Sequence, residues 1–214
     1  MQLSTKLYYF TEDSHSSRQS RSKSAYSQAT STLRAELGDV DALVAKSPLG
    51  KPYFIKPSNM STIEMLPYYL SMSHCLDFSV LAYSTMPIGI DCETMKTRPY
   101  QERLLRRILR NMTHLPADIP TLLRVYKTLP LESQNLVFFK LWTYLEATSK
   151  LNGWPLWQAL GKKIRFFTQN FLELLSTSCF LDQNNRIDFH QPTPKRLVCT
   201  VTVSPPSPLS LVGK

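Results

Sequence analysis

Glycine is scarce in this chain, with six in 214 residues against fifteen prolines. Few connections can exploit the left-handed backbone that glycine makes cheap, and many are stiffened. Cysteine is also sparse. Cys75, Cys92, Cys179 and Cys199 are scattered with no C-x-x-C pair. That spacing excludes a zinc ribbon and a thioredoxin-type motif, and reduced thiols in a cytoplasmic protein are expected. No apolar run is long enough to span a membrane, and the first ten residues lack a secretory h-region. Acidic residues are outnumbered 16 to 25, giving a formal charge of +9. A basic surface favours an anionic partner, whether nucleic acid, acidic lipid, acidic protein or a phosphorylated cofactor, and charge alone does not choose among them.

What is present is ordinary globular material. Hydrophobic residues make up 43% of the chain, enough for a real core in one large domain or two small lobes. Residues 3–10 read as an aromatic-rich strand. Residues 13–31 are crowded with Ser and carry Arg18, Arg21 and Lys23, so taken alone they read as a flexible basic loop. Ala, Leu and Glu then accumulate, and a helix ending at Gly38 is expected. Leu49-Gly50-Lys51-Pro52 has turn chemistry leading into an apolar strand. Residues 79–83 and 88–93 read as two strands, and the short link between them predicts a hairpin.

Residues 98–111 follow a helical period. Leu104, Leu105, Ile108 and Leu109 share one face, and Arg103, Arg106, Arg107 and Arg110 largely another. Residues 136–151 give the clearest helix, stopped by Asn152-Gly153. Residues 166–175 predict another helix, and residues 186–190 and 197–203 a final strand pair. Strands come in pairs with helices between them, without a regular βαβ rhythm, so the expected class is α+β. A composition shift near residues 85–88 divides the chain into an N-terminal lobe (1–87), a C-terminal lobe (88–203) and a Pro/Ser-rich tail (204–214).

Several residue groups carry possible chemistry. Asp91 and Glu93 are two apart on a predicted strand, so both carboxylates leave the same face. Two hard oxygen ligands suit magnesium, which binds carboxylates, water and substrate phosphates; an acidic pair at a strand end is also commonly just solvated. Trp142, Glu146 and Lys150 sit one turn apart on a helix. Glu146 could join a metal and Lys150 meet a phosphate, or the two could form a plain surface pair. Ser73 and His74 could donate to a phosphate, as could Lys51 from its turn; structural hydrogen-bonding is the alternative for each.

The order of these groups is more telling than any one of them. Gly-Lys-Pro (50–52), Ser-x-Ser-His (71–74), Ile-Gly-Ile-Asp-x-Glu (88–93) and Trp-x-x-x-Glu-Ala-x-x-Lys (142–150) resemble the 4′-phosphopantetheinyl transferase superfamily. The closest type is the monomeric, two-lobed, surfactin-synthetase-activating one, which serves peptide, polyketide and fatty-acid synthases. The resemblance implies a pseudo-twofold pair of α/β lobes with antiparallel sheets. It implies transfer of the phosphopantetheine arm of coenzyme A to a serine of an acyl or peptidyl carrier protein, the holo-acyl-carrier-protein synthase reaction. Asp91, Glu93 and Glu146 match the family's metal-binding acids, with magnesium or manganese as the ion. Lys51, Ser73, His74 and Lys150 match the coenzyme A contacts, and Arg21 loosely matches an N-terminal basic residue. Glu146, Lys150 and His74 are the implied catalytic set, with Glu146 as base.

The implied partners are coenzyme A and an acidic carrier protein, for which the +9 charge would speed docking. A monomer is expected, with no membrane attachment. Nucleic acid is disfavoured because no nucleic-acid motif is present. Two positions depart from the family pattern. Leu145 stands where the family carries a lysine, and Thr113 or His114 where it often carries an acid. These departures keep a second expectation open, a weak or inactive relative that binds coenzyme A or a carrier protein.

Overall fold

The computed structural model describes residues 5–11, 18–38, 41, 43–47, 51–59, 62–75, 78–113, 119–161, 164–165, 171–181 and 185–203. The expected tail 204–214 lies outside them. The first strand, β1 (Thr5–Thr11), leads to helix α1 (Arg18–Leu37). Strands β2 (Leu43–Lys46), β3 (Pro52–Asn59), β4 (Thr62–His74) and β5 (Phe78–Ser84) follow. They form a five-stranded sheet in the order β1-β5-β4-β3-β2, with every neighbouring pair antiparallel.

Next come β6 (Ile88–Thr94), α2 (Gln101–Asn111), β7 (Met112–Thr113), α3 (Ile119–Thr128) and α4 (Leu131–Asn152). The chain continues through α5 (Leu156–Ala159), β8 (Ile164–Arg165), α6 (Phe171–Ser176), β9 (Cys179–Leu181), β10 (Asn185–Thr193) and β11 (Arg196–Val203). A second antiparallel sheet has the order β6-β11-β10-β9, and β7 and β8 make a short parallel pair. The fold is mixed α+β, built on two antiparallel sheets.

Helix α1 spans much of the Ser-rich segment that reads as a loop in isolation. Its buried side chains form one stripe at four-residue spacing. Ala25, Ala29 and Leu33 are all buried, and Ala29 and Leu33 pack with Phe54, Leu70, Leu81 and Tyr83 of the first sheet. Burial of that stripe outweighs the weak helix preference of serine.

The hairpin expected from residues 79–93 does not form. Both edges of β5 are already taken, by β1 and β4, while β6 pairs with β11. The link therefore carries the chain from one sheet to the other. Strand β5 is buried along its whole length. Leu81 and Tyr83 face the α1 core, while Phe78, Val80 and Ala82 pack against Ile88, Ile90 and Val198 of the second sheet.

Helix α4 is the centre of the C-terminal half. The period predicts a one-sided helix, yet every residue from Val137 to Leu145 is buried. It lies between the second sheet and helices α2, α5 and α6, so no face of its middle turns meets water. It ends as predicted at Gly153, whose φ of 68° gives the left-handed cap and directs backbone N–H groups to Lys150 and Ser149. Glycine is needed for another reason at Gly89, where β6 crosses α4. A Cβ there would overlap the Ala147 carbonyl oxygen and lie 2.7 Å from the Leu151 nitrogen.

Candidate functional site

Two serines join the two sheets at the crossing of β4 and β6. Ser71 Oγ accepts from the Ile90 backbone N–H at 3.0 Å. Ser73 Oγ donates to Asp91 Oδ1 at 2.8 Å. Both serines point the same way by strand alternation, so the first sheet meets β6 with two hydroxyls. From the other side, α4 passes close over Gly89 and brings its last turns against the same strand.

Lys150 Nζ donates to Asp91 Oδ1 and to Ser73 Oγ, each at 2.8 Å. The Asp91 side chain is 3% exposed and that of Lys150 33% exposed. Asp91 Oδ2 is buried without a hydrogen-bond partner among the described residues. Burial opposes the charge on Lys150, but Asp91 and Glu146 outweigh it and hold the ammonium above its ordinary range. Glu146 is pushed the other way. Burial, then the Asp91 carboxylate, raise its pKa from 4.5 to about 8, with Lys150 only partly offsetting them. A metal-free Glu146 therefore carries its proton at neutral pH.

Glu93 keeps different company. Its Oε1 accepts from Trp142 Nε1 at 2.9 Å, and its Oε2 pairs with Arg98 Nη2 at 2.5 Å. Burial and Asp91 raise its pKa, and Arg98 works against them. The Arg98 guanidinium carbon lies 5.1 Å from the Phe139 ring centroid and 5.8 Å from that of Trp142.

Asp91, Glu93, Glu146, Lys150, Ser73 and His74 all line one cavity of about 620 Å³, together with Met72, Cys75, Lys96 and Arg98. Lys51 is not on that wall. It lines a neighbouring cavity of about 350 Å³, with Tyr26, Ser149 and Trp154. Lys51 Nζ donates to the Leu151 carbonyl at 3.2 Å, which ties it to the end of α4. Met72 and Lys150 line both cavities. The side chain of Arg21 and all of His114 lie outside the described residues.

The three acids share a wall without forming a ligating cluster. Among the described residues, no three His, Cys, Asp or Glu side chains are grouped so as to hold a metal ion. The physical reason lies in the partners. Glu93 is drawn to Arg98 and Trp142, and Asp91 to Lys150 and Ser73. Asp91 and Glu146 nevertheless suit a divalent ion, because the two buried carboxyls crowd each other and a cation could replace the proton that Glu146 holds beside Asp91.

Leu145 does not remove a cation from the cavity. It is 2% exposed within the C-terminal core and absent from the cavity wall. Arg98 and Lys96 also line the cavity, from the connection between β6 and α2. The helix begins at Gln101 and not at residue 98, so the helical period does not mark either residue as part of the site. The spacing of Trp142 and Glu146 shows a shared helix face but not the bond from Trp142 to Glu93.

No helix among the described residues is long and apolar enough to cross a membrane. No protein-family model matches this chain. No curated protein matches it significantly either, so the geometry of the site and the order of its motifs carry the functional argument.

Proposed function

We propose that the chain transfers the 4′-phosphopantetheine arm of coenzyme A to a serine of an acidic carrier protein, as the phosphopantetheinyl transferases it resembles do. The observation that carries this reading is the position of Lys150, on the wall of both cavities and bonded to Asp91. An elongated substrate with a central pyrophosphate would suit a pair of spaces that share Met72 and Lys150 on their walls. Its nucleotide end would lie by Lys51 in the smaller one, and its pyrophosphate by Lys150, Ser73 and His74.

Asp91 and Glu146 would hold magnesium, or manganese in its place, which would supply positive charge to phosphoryl oxygens. The chain's own residues do the rest. Lys150 and His74 stabilise negative charge on the transferring group and the leaving oxygen. Glu146, once deprotonated, accepts the proton of the carrier serine. The serine oxygen bonds to the β-phosphorus of coenzyme A, the bond from that phosphorus to the bridging oxygen breaks, and adenosine 3′,5′-bisphosphate leaves. A net charge of +9 would draw in an acidic carrier.

The test is incubation with coenzyme A, magnesium and a set of apo-carrier proteins, followed by mass measurement of the carriers. A phosphopantetheine mass gain that Asp91→Ala abolishes supports the reading. Folded protein that modifies no carrier sinks it. One observation favours a second reading, a relative that binds coenzyme A without turnover. Both strand carboxylates are already neutralised by cations, Lys150 and Arg98. Calorimetric binding of coenzyme A with no labelling would select that reading.

A further inference from the structure

Arg98 is held from several directions. Its backbone N–H donates to Gln101 Oε1 at 3.1 Å, and its carbonyl accepts from the Gln101 N–H at 3.3 Å. Gln101 is itself buried and donates to Tyr126 Oη at 2.9 Å and Asn135 Oδ1 at 3.1 Å. The loop is thus tied to the start of α2. The guanidinium lies by two aromatic rings and pairs with Glu93, yet its side chain remains 30% exposed at the cavity wall.

A guanidinium carries five N–H donors, and the bond to Glu93 uses one of them. Lys150, the other cation bonded to a wall carboxylate, directs two of its three N–H donors to Asp91 and Ser73. Glu93 is poorly placed to ligate a divalent ion. Both its oxygens already accept strong donors, and a doubly charged ion beside it would be repelled by the guanidinium. Turning Glu93 away would break the Trp142 bond and leave Arg98 without its counter-charge.

We propose that Glu93 anchors Arg98 instead of ligating a metal, and that Arg98 binds phosphate oxygens of a pyrophosphate-bearing substrate at this end of the cavity. The proposal rests on the reading of the cavity as a site for such a substrate. A planar fork matches two phosphate oxygens at once, which an ammonium cannot do. Packing against the rings fixes the fork before the ligand arrives, so little side-chain entropy is lost on binding.

The experiment compares the full-length chain with Arg98→Ala, Arg98→Lys, Glu93→Gln and Asp91→Asn. Folding is checked by circular dichroism. Binding of inorganic pyrophosphate and of coenzyme A is followed by calorimetry, and binding of Mn²⁺ by paramagnetic resonance. Arg98→Ala should weaken both anions about tenfold to a hundredfold. Arg98→Lys should recover only part of this, because it restores charge without the fork. Glu93→Gln should weaken the anions but keep Mn²⁺ affinity, whereas Asp91→Asn should lose it. Equal loss of Mn²⁺ in Glu93→Gln and Asp91→Asn overturns the assignment of Glu93. Unchanged coenzyme A binding in Arg98→Ala overturns that of Arg98 and leaves the transferase reading standing. Pyrophosphate binding that depends on Arg98, without any coenzyme A binding, does the reverse. A wild-type chain that binds neither anion overturns both.

Discussion

Asp91 and Glu93 are two residues apart on one strand and face one cavity, yet they live in different surroundings. Asp91 is met from the N-terminal sheet by Ser73 and from the last turn of α4 by Lys150. Glu93 is met by Trp142, two turns earlier on α4, and by Arg98 from the following loop. Exposure follows the same division, with side chains 3% exposed for Asp91 and 15% for Glu93. Strand alternation fixes the face a side chain leaves from, and what packs over that face decides its role. The N-terminal sheet reaches Asp91 and gives it a bond that joins the two sheets. At Glu93 the partners all come from the C-terminal half.

The contrast depends on α4 lying directly against β6, and the largest effect should come from separating them. Gly89→Ala forces a Cβ into the Ala147 carbonyl oxygen, a backbone atom that no rotamer change can move. Destabilisation of about 3 kcal/mol or more is expected, beyond the usual cost of overpacking. Urea unfolding measures it. A loss under about 1 kcal/mol would mean that the two elements are not in contact as described. Leu145→Lys should be nearly as harmful, because it puts an ammonium into the apolar C-terminal core. A cost of about 2–4 kcal/mol is expected, with no gain in phosphate affinity. A stable variant that binds pyrophosphate more tightly would show that residue 145 faces the site after all.

Those two positions show what the sequence made legible. The α+β class, the helix stopped at Gly153 and the final strand pair followed from periodicity and turn chemistry, which are local. The grouping of Ser73, His74, Asp91, Glu93, Glu146 and Lys150 on one wall could be anticipated from motif order. What escaped depends on long-range packing. A Leu at the end of an amphipathic pattern reads as core or surface only once the elements around it are known. Lys140 makes the same point. It lies mid-helix among apolar residues, and its ammonium donates to the carbonyls of Leu174, Leu175 and Thr177 at the end of α6, 34–37 residues away. The β5–β6 hairpin failed for a similar reason, since a short link cannot reveal that both edges of β5 are occupied.

Asp91→Ala against Glu93→Ala tests the comparison directly. Removing Asp91 strands Lys150 and leaves Ser73 without its acceptor. Breaking a fully buried pair in this way costs about 3–5 kcal/mol, but Lys150 is a third exposed and water will share its charge, so about 2 kcal/mol is expected. Glu93→Ala releases an Arg98 of similar exposure that still has its rings, and about 1 kcal/mol is expected. Denaturant midpoints measured side by side decide the order. Equal losses would remove the distinction between the two ends.

Glu146 offers a pH axis centred on the Asp91 end, because burial and Asp91 are the two largest causes of its raised pKa. Its folded pKa of about 8 lies above the ordinary 4.5, so between these values the folded chain keeps a proton that the unfolded chain has released. Its contribution to stability is therefore complete below about pH 4.5 and is lost as pH rises to about 8. The slope is at most about 1.4 kcal/mol per pH unit. The measurement is the difference between wild type and Glu146→Gln across pH 5–8, which cancels groups common to both. A flat difference would mean that neither burial nor the Asp91 carboxylate acts on Glu146 as described. In the transferase assay, magnesium that draws the proton off Glu146 should shift the rising limb of the rate profile to lower pH.

The smallest expected effect is the most selective. Ser73→Ala removes a hydroxyl that donates to Asp91 and accepts from Lys150, while the direct Lys150–Asp91 bond can persist. A stability loss of about 1 kcal/mol is expected, typical of one net hydrogen bond. The Glu93 end should not notice, because Glu93 bonds to Arg98 and Trp142 while Ser73 bonds to Asp91 and Lys150. Trp142 is a built-in reporter, since its indole N–H donates to Glu93. Ser73→Ala should leave exchange of the Trp142 indole N–H proton unchanged, and Glu93→Ala should speed it. If Ser73→Ala accelerates that exchange too, the two carboxylates are one coupled unit, and their different partners do not divide the labour of the site.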